Sequence, residues 1–243
     1  MVSPARPPLG GVFGGGGLFG IGYAMGVIEG LRRRGISFEG APLLGTSAGS
    51  WAAAAVVTGV DVDGMLSADT PSFPNPKSGV LAAAARGIFG EARSELVKAC
   101  ACTLPRLQRT VLDGGLHPLA DILAASSAVP GLLAPHEVGG TKYVDGGVRS
   151  GTSVDLGPDV DRLVVIAPLA GAMWGPFRSI IDRSMNSEIR RWRARTQGTG
   201  MVYTPVKVAA NIAKNPWHLF DTQRAVEAYH LGIEQAVNDG DEF

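Results

Sequence analysis

Cysteine is almost absent: Cys100 and Cys102 are the only two in 243 residues. They stand too close together to close an ordinary disulfide within one strand or helix, and no histidine–cysteine set at ligand spacing accompanies them. A disulfide framework and a structural metal centre are therefore not expected. Both read as small buried or half-buried residues, and a reducing, cytoplasmic location fits them. Net charge is lacking too, with 22 basic residues against 22 acidic ones. That excludes a binder that works by neutralising many phosphates, so no nucleic-acid partner is expected. No window reaches about 18 uninterrupted apolar residues, the length a membrane-spanning helix needs. Residues 1–8 lack an apolar h-region and read as a loose, proline-rich arm, not a secretory signal. There is no internal repeat, no low-complexity tail and no signature of an oligomeric state.

What the chain does have is apolar content, 45 % of residues, and 34 glycines. Its length suits one α/β domain over residues 1–243. Residues 9–13 read as a first buried strand, 20–34 as a helix ending at Gly35, and 61–68 as a short helix. Residues 71–79 form a turn-rich linker. Residues 81–102 read as mostly helical, 110–115 as a strand and turn or a loop, and 119–126 as a helix. Residues 141–147 end a short strand in an acid and a glycine turn. Residues 162–168 are the clearest buried, parallel-type strand. An arginine-rich helix over 177–195, a short strand at 202–204 and an amphipathic helix over 221–237 complete the chain. Strands alternating with helices predict a three-layer α/β/α sandwich around a mostly parallel sheet.

The chemistry centres on residues 42–50, Pro-Leu-Leu-Gly-Thr-Ser-Ala-Gly-Ser. Leu43 and Leu44 make a buried strand, the alanines after Trp51 a helix, and Ser47 lies between them in the frame Gly-x-Ser-x-Gly. This frame is the nucleophile elbow, whose glycines let a strained turn pass close to its neighbours. The Ala48 N–H then points from a helix N-terminus, where negative charge is favoured. The competing reading is a glycine-rich turn with Ser47 as N-cap. Upstream, residues 14–20 run Gly-Gly-Gly-Gly-Leu-Phe-Gly. Bare backbone amides ahead of a helix can hold an oxyanion, or a phosphate. Gly15-x-Gly17-x-x-Gly20 followed by Glu39 also matches the dinucleotide fingerprint, which keeps a nucleotide-binding protein open as an alternative.

A serine needs a base. Asp145 and either His218 or His230 satisfy the order Ser, acid, His of an α/β-hydrolase triad, though neither histidine follows an evident strand. A buried carboxylate with a raised pKa can serve alone. Asp145, at a strand end before Gly146 and Gly147, fits that role, with Asp113 before Gly114 and Gly115 as its rival.

Taken together, the glycine loop at 15–20, the elbow at 45–49, Ala125-Ser-Ser-Ala-Val-Pro-Gly131 and Asp145-Gly-Gly147 resemble the patatin-like phospholipases, in that family's order. The resemblance covers about residues 9–168 and selects Asp145 over Asp113. It implies a Ser47–Asp145 dyad without a catalytic histidine, an acyl-enzyme intermediate, and an oxyanion hole from Gly15, Gly16, Gly17 and Ala48. It implies a lipid or other acyl-ester substrate and no metal or organic cofactor. The family usually carries a basic residue where this chain has Phe19, which is expected to pack beneath the loop or line an acyl pocket. A silent scaffold of the same fold is a further alternative. Arg178, Arg183, Arg190, Arg191, Arg193 and Arg195 offer peripheral contact with a membrane surface. Asp182 and Glu188 among them favour a solvated, salt-bridged face instead.

Overall fold

Consecutive apolar residues in the first strands must face opposite sides of a sheet, because side chains alternate along a strand. In the computed structural model, which describes residues 6–67, 72–173 and 178–239, they do. Phe13 and Leu43 enter one core with Val164 and Ile166, while Val12 and Leu44 enter a second with Leu163 and Val165. The first core holds α1 (Gly17–Arg33), α2 (Ala48–Thr58), α4 (Val80–Phe89), α5 (Leu119–Ser126) and α8 (Thr222–Asn238). The second is closed by Met185, Ile189 and Trp192 of α6 (Arg178–Thr196). Short helices α3 (Val62–Leu66) and α7 (Ala209–Ile212) complete the set among the described residues. The central sheet thus lies between helices on both faces, as the strand–helix alternation predicts.

Eight strands make the sheet: β1 (Leu9–Phe13), β2 (Leu43–Thr46), β3 (Val97–Thr103), β4 (Arg109–Asp113), β5 (His136–Val138), β6 (Thr141–Asp145), β7 (Arg162–Ile166) and β8 (Thr199–Tyr203). The order β3-β2-β1-β7-β8 is parallel throughout, and β4, β5 and β6 add antiparallel pairs at the β3 end. Two of these strands differ from the sequence expectation. The stretch read as mostly helical over 81–102 stops being helix at Gly90, which takes φ 59°, and resumes as β3 in the sheet. Alanines at 99 and 101 favour helix locally, but partners on both edges of β3 override that weak preference. β5 is short and half polar; it exists because Gly139 and Gly140, at φ 57° and 78°, close a two-residue hairpin into β6. Among sequence expectations, residues 1–5 of the arm, and Ala68, Pro71 and Phe177 at the ends of other elements, lie outside the described residues.

One detail of the pairing positions the site. Lys98 to Cys100 of β3 pair with β2 on one edge and β4 on the other. Ala101 and Cys102 pair with β4 and β6. A strand has two edges, so β6 continues the edge that β2 leaves. The two run in opposite directions, and their C-terminal ends abut: Thr46 pairs with Cys100, and Asp145 with Ala101.

Candidate active site

Ser47 follows β2 directly and takes φ 51°, ψ −125°. A side chain other than glycine's in that region costs about 1–3 kcal/mol and persists only where the surroundings impose it. They do so here. A Cβ at Gly45 would stand 2.2 Å from the Cα and N of Ser50, and one at Gly49 would stand 2.0 Å from the Phe13 carbonyl oxygen. Strand, turn and helix are therefore closer than any side chain allows. The Ser47 N–H donates to the Ser126 hydroxyl (2.9 Å), which donates to the Cys100 carbonyl (2.7 Å). The Ser47 carbonyl accepts from the backbone and hydroxyl of Ser50.

Across the abutting strand ends stands Asp145, only 4 % exposed. Its carboxylate accepts a hydrogen bond from the Gly147 N–H at 2.6 Å and stands near enough to the Ser47 hydroxyl for that group to lower its pKa. Burial disfavours its charged form and pushes its pKa up from 3.8 to about 6; the Ser47 hydroxyl and the Gly147 N–H oppose the shift without cancelling it. Gly146 is needed beside it, since a Cβ there would stand 2.4 Å from the Cys100 carbonyl oxygen. Asp113, the sequence rival, sits at a β4 turn, tied to Lys98 and the Gly115 N–H. The Lys98 bond holds its pKa below the usual range.

The glycine loop lies against the elbow: a Cβ at Gly15 would be 3.3 Å from the Ser47 Cβ. The loop donors divide, however. The Gly15 N–H, expected among the oxyanion donors, is committed to the Gly151 carbonyl at 2.8 Å. That corrects the expectation for Gly15. Among the described residues, the N–H groups of Gly16, Gly17 and Ala48 have no protein acceptor. All three precede or open helices α1 and α2, whose first amides are unpaired by geometry. Gly16 and Gly17 take φ 154° and 60°, and a Cβ at Gly17 would meet the Leu219 carbonyl oxygen at 2.5 Å. Phe19 is wholly buried, its ring stacked on Tyr23 at 6.5 Å. It packs beneath the loop and does not line the cavity.

The strap that binds Gly15 is itself held from below, which the sequence did not reveal. Glu188 of α6 is 3 % exposed, and its carboxylate accepts from the Val154 N–H (3.0 Å) and the Thr152 hydroxyl (3.4 Å). Arg109 reaches Glu188 at 3.4 Å and grips Asp155 with two 2.8 Å bonds. Thr152 in turn accepts from the Thr46 hydroxyl. Glu188 thus fixes residues 151–154, and they fix the glycine loop. Other charged residues of that helix are also engaged: Arg191 meets Asp155, Arg195 the Gly157 carbonyl, and Asp182 accepts from the Gly171 N–H.

Ser47, Asp145 and residues 15–17 lie on the wall of a cavity of about 590 Å³. The rest of its lining is overwhelmingly apolar and includes Leu18, Trp51, Met65, Ile88, Leu133 and Phe220. None of the four histidines lines it. His218 is bound within its own turn to Asn215 and the Lys214 N–H, and His230 packs edge-on to Tyr229. The Ser–His–Asp alternative finds no support in this arrangement. The dinucleotide alternative fares no better. Glu39 precedes β2 at the N-terminal end of the parallel strands, whereas the glycine loop follows β1 at their C-terminal end.

The model of the patatin-like phospholipases matches residues 112–156, the stretch that contains Asp145. The resemblance to that family read from the motifs is the same one. No curated protein matches the chain. Among solved structures, VipD from Legionella pneumophila is similar with a TM-score of 0.47 and 14 % identity, over 97 % of this chain and 67 % of that one.

Proposed function

We propose that this patatin-like chain is a serine acyl hydrolase that cleaves carboxylic ester bonds of lipids through a Ser47–Asp145 dyad. The observation that carries the reading is a strained serine beside a buried carboxylate, both on the wall of an apolar cavity. An acyl chain in that cavity would leave water, and its carbonyl would lie against Ser47. The Ser47 oxygen attacks the carbonyl carbon while its proton passes to Asp145. The tetrahedral oxyanion is met by the N–H groups of Gly16, Gly17 and Ala48, of which each is worth about two to three orders of magnitude in rate where such donors have been removed. Collapse expels the alcohol, which takes the proton from Asp145. Water, giving its proton to Asp145, then attacks the acyl-enzyme; the fatty acid leaves and Ser47 regains its hydrogen. No step needs a metal or organic cofactor.

The base must be ionised to accept a proton, and its pKa stands near 6. Hydrolysis of a soluble p-nitrophenyl ester is therefore expected to rise with pH through about 6 and then level off. The decisive measurement is mass spectrometry after treatment with a fluorophosphonate, which loses fluoride as a serine oxygen bonds to phosphorus. The adduct is expected on the peptide bearing Ser47; an adduct elsewhere, or none, would refute the reading.

The Glu188 strap gives a separate expectation. Glu188→Ala should lower kcat by about 10- to 100-fold with KM nearly unchanged, since small displacements of oxyanion donors are costly in the transition state. Glu188→Gln keeps an acceptor for the Val154 N–H and should restore most of the loss. Equal damage from both variants would sink the positioning role.

A further inference from the structure

The cavity has a rim of unusual composition. Residues 205–220 contribute Leu219 and Phe220 to its lining, residues 72–79 contribute Phe73, and the rings of Phe73 and Phe220 lie 4.8 Å apart. Both phenylalanines line the cavity. Phe220 closes a 3₁₀ helix, Pro216–Phe220. Such a helix has three residues per turn, so Trp217 stands over the same face as Phe220. Yet Trp217 is 62 % exposed. Val208 (60 %), Val206 (43 %) and, beside Asp145 and Gly147, Val148 (42 %) are exposed as well. Val148 lines the cavity and Trp217 lies three residues before Phe220, which does too; exposed large apolar side chains next to an apolar cavity mark a contact surface.

Charge identifies what that surface meets. Residues 72–79 and 205–220 hold no aspartate or glutamate, but they do hold Lys77, Lys207 and Lys214, all exposed. These are three of the five lysines in a chain whose net charge is zero. Arg149, exposed, follows Val148 directly. Tryptophan is the side chain best suited to the boundary between headgroups and acyl chains, and lysine stems reach from there to anionic headgroups. We infer that this rim docks the protein on an anionic bilayer surface, with Trp217 inserted and Lys77, Lys207 and Lys214 on the headgroups, so that the cavity opens onto the lipid. The contact is assigned to this rim and not to α6, where Arg191, Arg193 and Arg195 have partners within the fold. It would give the proposed ester hydrolase direct access to its substrate, but it is tested without turnover.

The test is flotation of the full chain with vesicles of phosphatidylcholine, with and without phosphatidylglycerol. Binding is expected to the anionic vesicles and to weaken with salt. Each lysine near such a surface is worth roughly a fivefold change in partition, so Lys77→Gln/Lys207→Gln/Lys214→Gln should weaken it by about a hundredfold. Trp217→Ala should weaken it by about tenfold. Neither variant touches the cavity lining, so hydrolysis of a soluble ester and the melting temperature should stay as in the parent. No binding by the parent at low salt, or binding unaltered in both variants, would overturn the inference. So would a dimer in sedimentation that dissociates on Trp217→Ala, since the rim would then cover a second copy. If soluble esters are not cleaved while vesicles are bound, the hydrolase reading fails and the docking surface stands.

Discussion

Replacing Ser47 with alanine is expected to lower ester hydrolysis by about four orders of magnitude or more and to abolish fluorophosphonate labelling. Removal of a nucleophile leaves only the contribution of binding and oxyanion donors, and nucleophile deletions in comparable enzymes reach that size. The fold should survive. Alanine keeps the Cβ that packs near Gly15, and the Ser126 and Ser50 bonds use only the backbone of residue 47. The thermal midpoint should therefore change little, which separates lost chemistry from lost structure. One secondary effect follows from the site's electrostatics. The Ser47 hydroxyl is a donor that lowers the Asp145 pKa, so Asp145 in Ser47→Ala should titrate above its value in the parent. His218→Ala and His230→Ala, by contrast, should leave turnover intact; a loss matching that of Ser47→Ala would reinstate a triad.

The second large effect has two opposite signs. Asp145→Asn should reduce hydrolysis nearly as far, because an amide cannot take the serine proton. The same substitution should stabilise the protein above pH 6. In the fold the Asp145 pKa is about 6, raised from 3.8 by burial. A carboxyl raised in this way favours the folded state most when protonated. Its contribution is full below about 3.8 and is lost as pH climbs through about 6. At pH 8 the parent thus carries a buried charge costing about 2–3 kcal/mol, which asparagine does not. For a chain of this size that corresponds to roughly 5–10 °C in Tm. Thermal unfolding of parent and variant at pH 4 and pH 8 checks it: near-coincident midpoints at pH 4 and a higher one for the variant at pH 8. Coincidence at pH 8 would mean that Asp145 is not strained by its charge, and the argument for a base near pH 6 would fall with it.

How much of this could be read in advance depends on how local the cause is. Gly45, Gly49, Gly146 and Asp145 were legible because each answers a constraint within a few residues: a tight turn, a strand end, a backbone approach. β7 was legible for the same reason, since residues 163–166 are an unbroken apolar run. β3 was not. Its alanines and cysteines carry helix and strand preference alike, and only partners from distant segments decide between them. The engagement of Gly15 was hidden too, because its acceptor, Gly151, lies far along the chain. Glu188 was read as one acid among arginines on a solvated face, and nothing in the spacing of α6 announces that it alone turns inward. A buried carboxylate facing backbone amides is visible only once the strap above it is folded. Phe19 was half legible: a large apolar residue in a glycine loop must be covered, but whether by core or by cavity depends on the pitch of α1.

The abutment of β2 and β6 along β3 has a consequence for how such a pair can vary. The reactive oxygens hang from strand tips whose separation is gauged by two adjacent rungs, Cys100 and Ala101, on a strand that supplies no reactive group itself. The long stretch of chain between the serine and the carboxylate can lengthen or shorten without altering their spacing, provided the rungs stay in step. A slip of β6 by a single rung, however, would swing Asp145 to the far face of the sheet. The ruler for the chemistry is kept by a strand that never touches it.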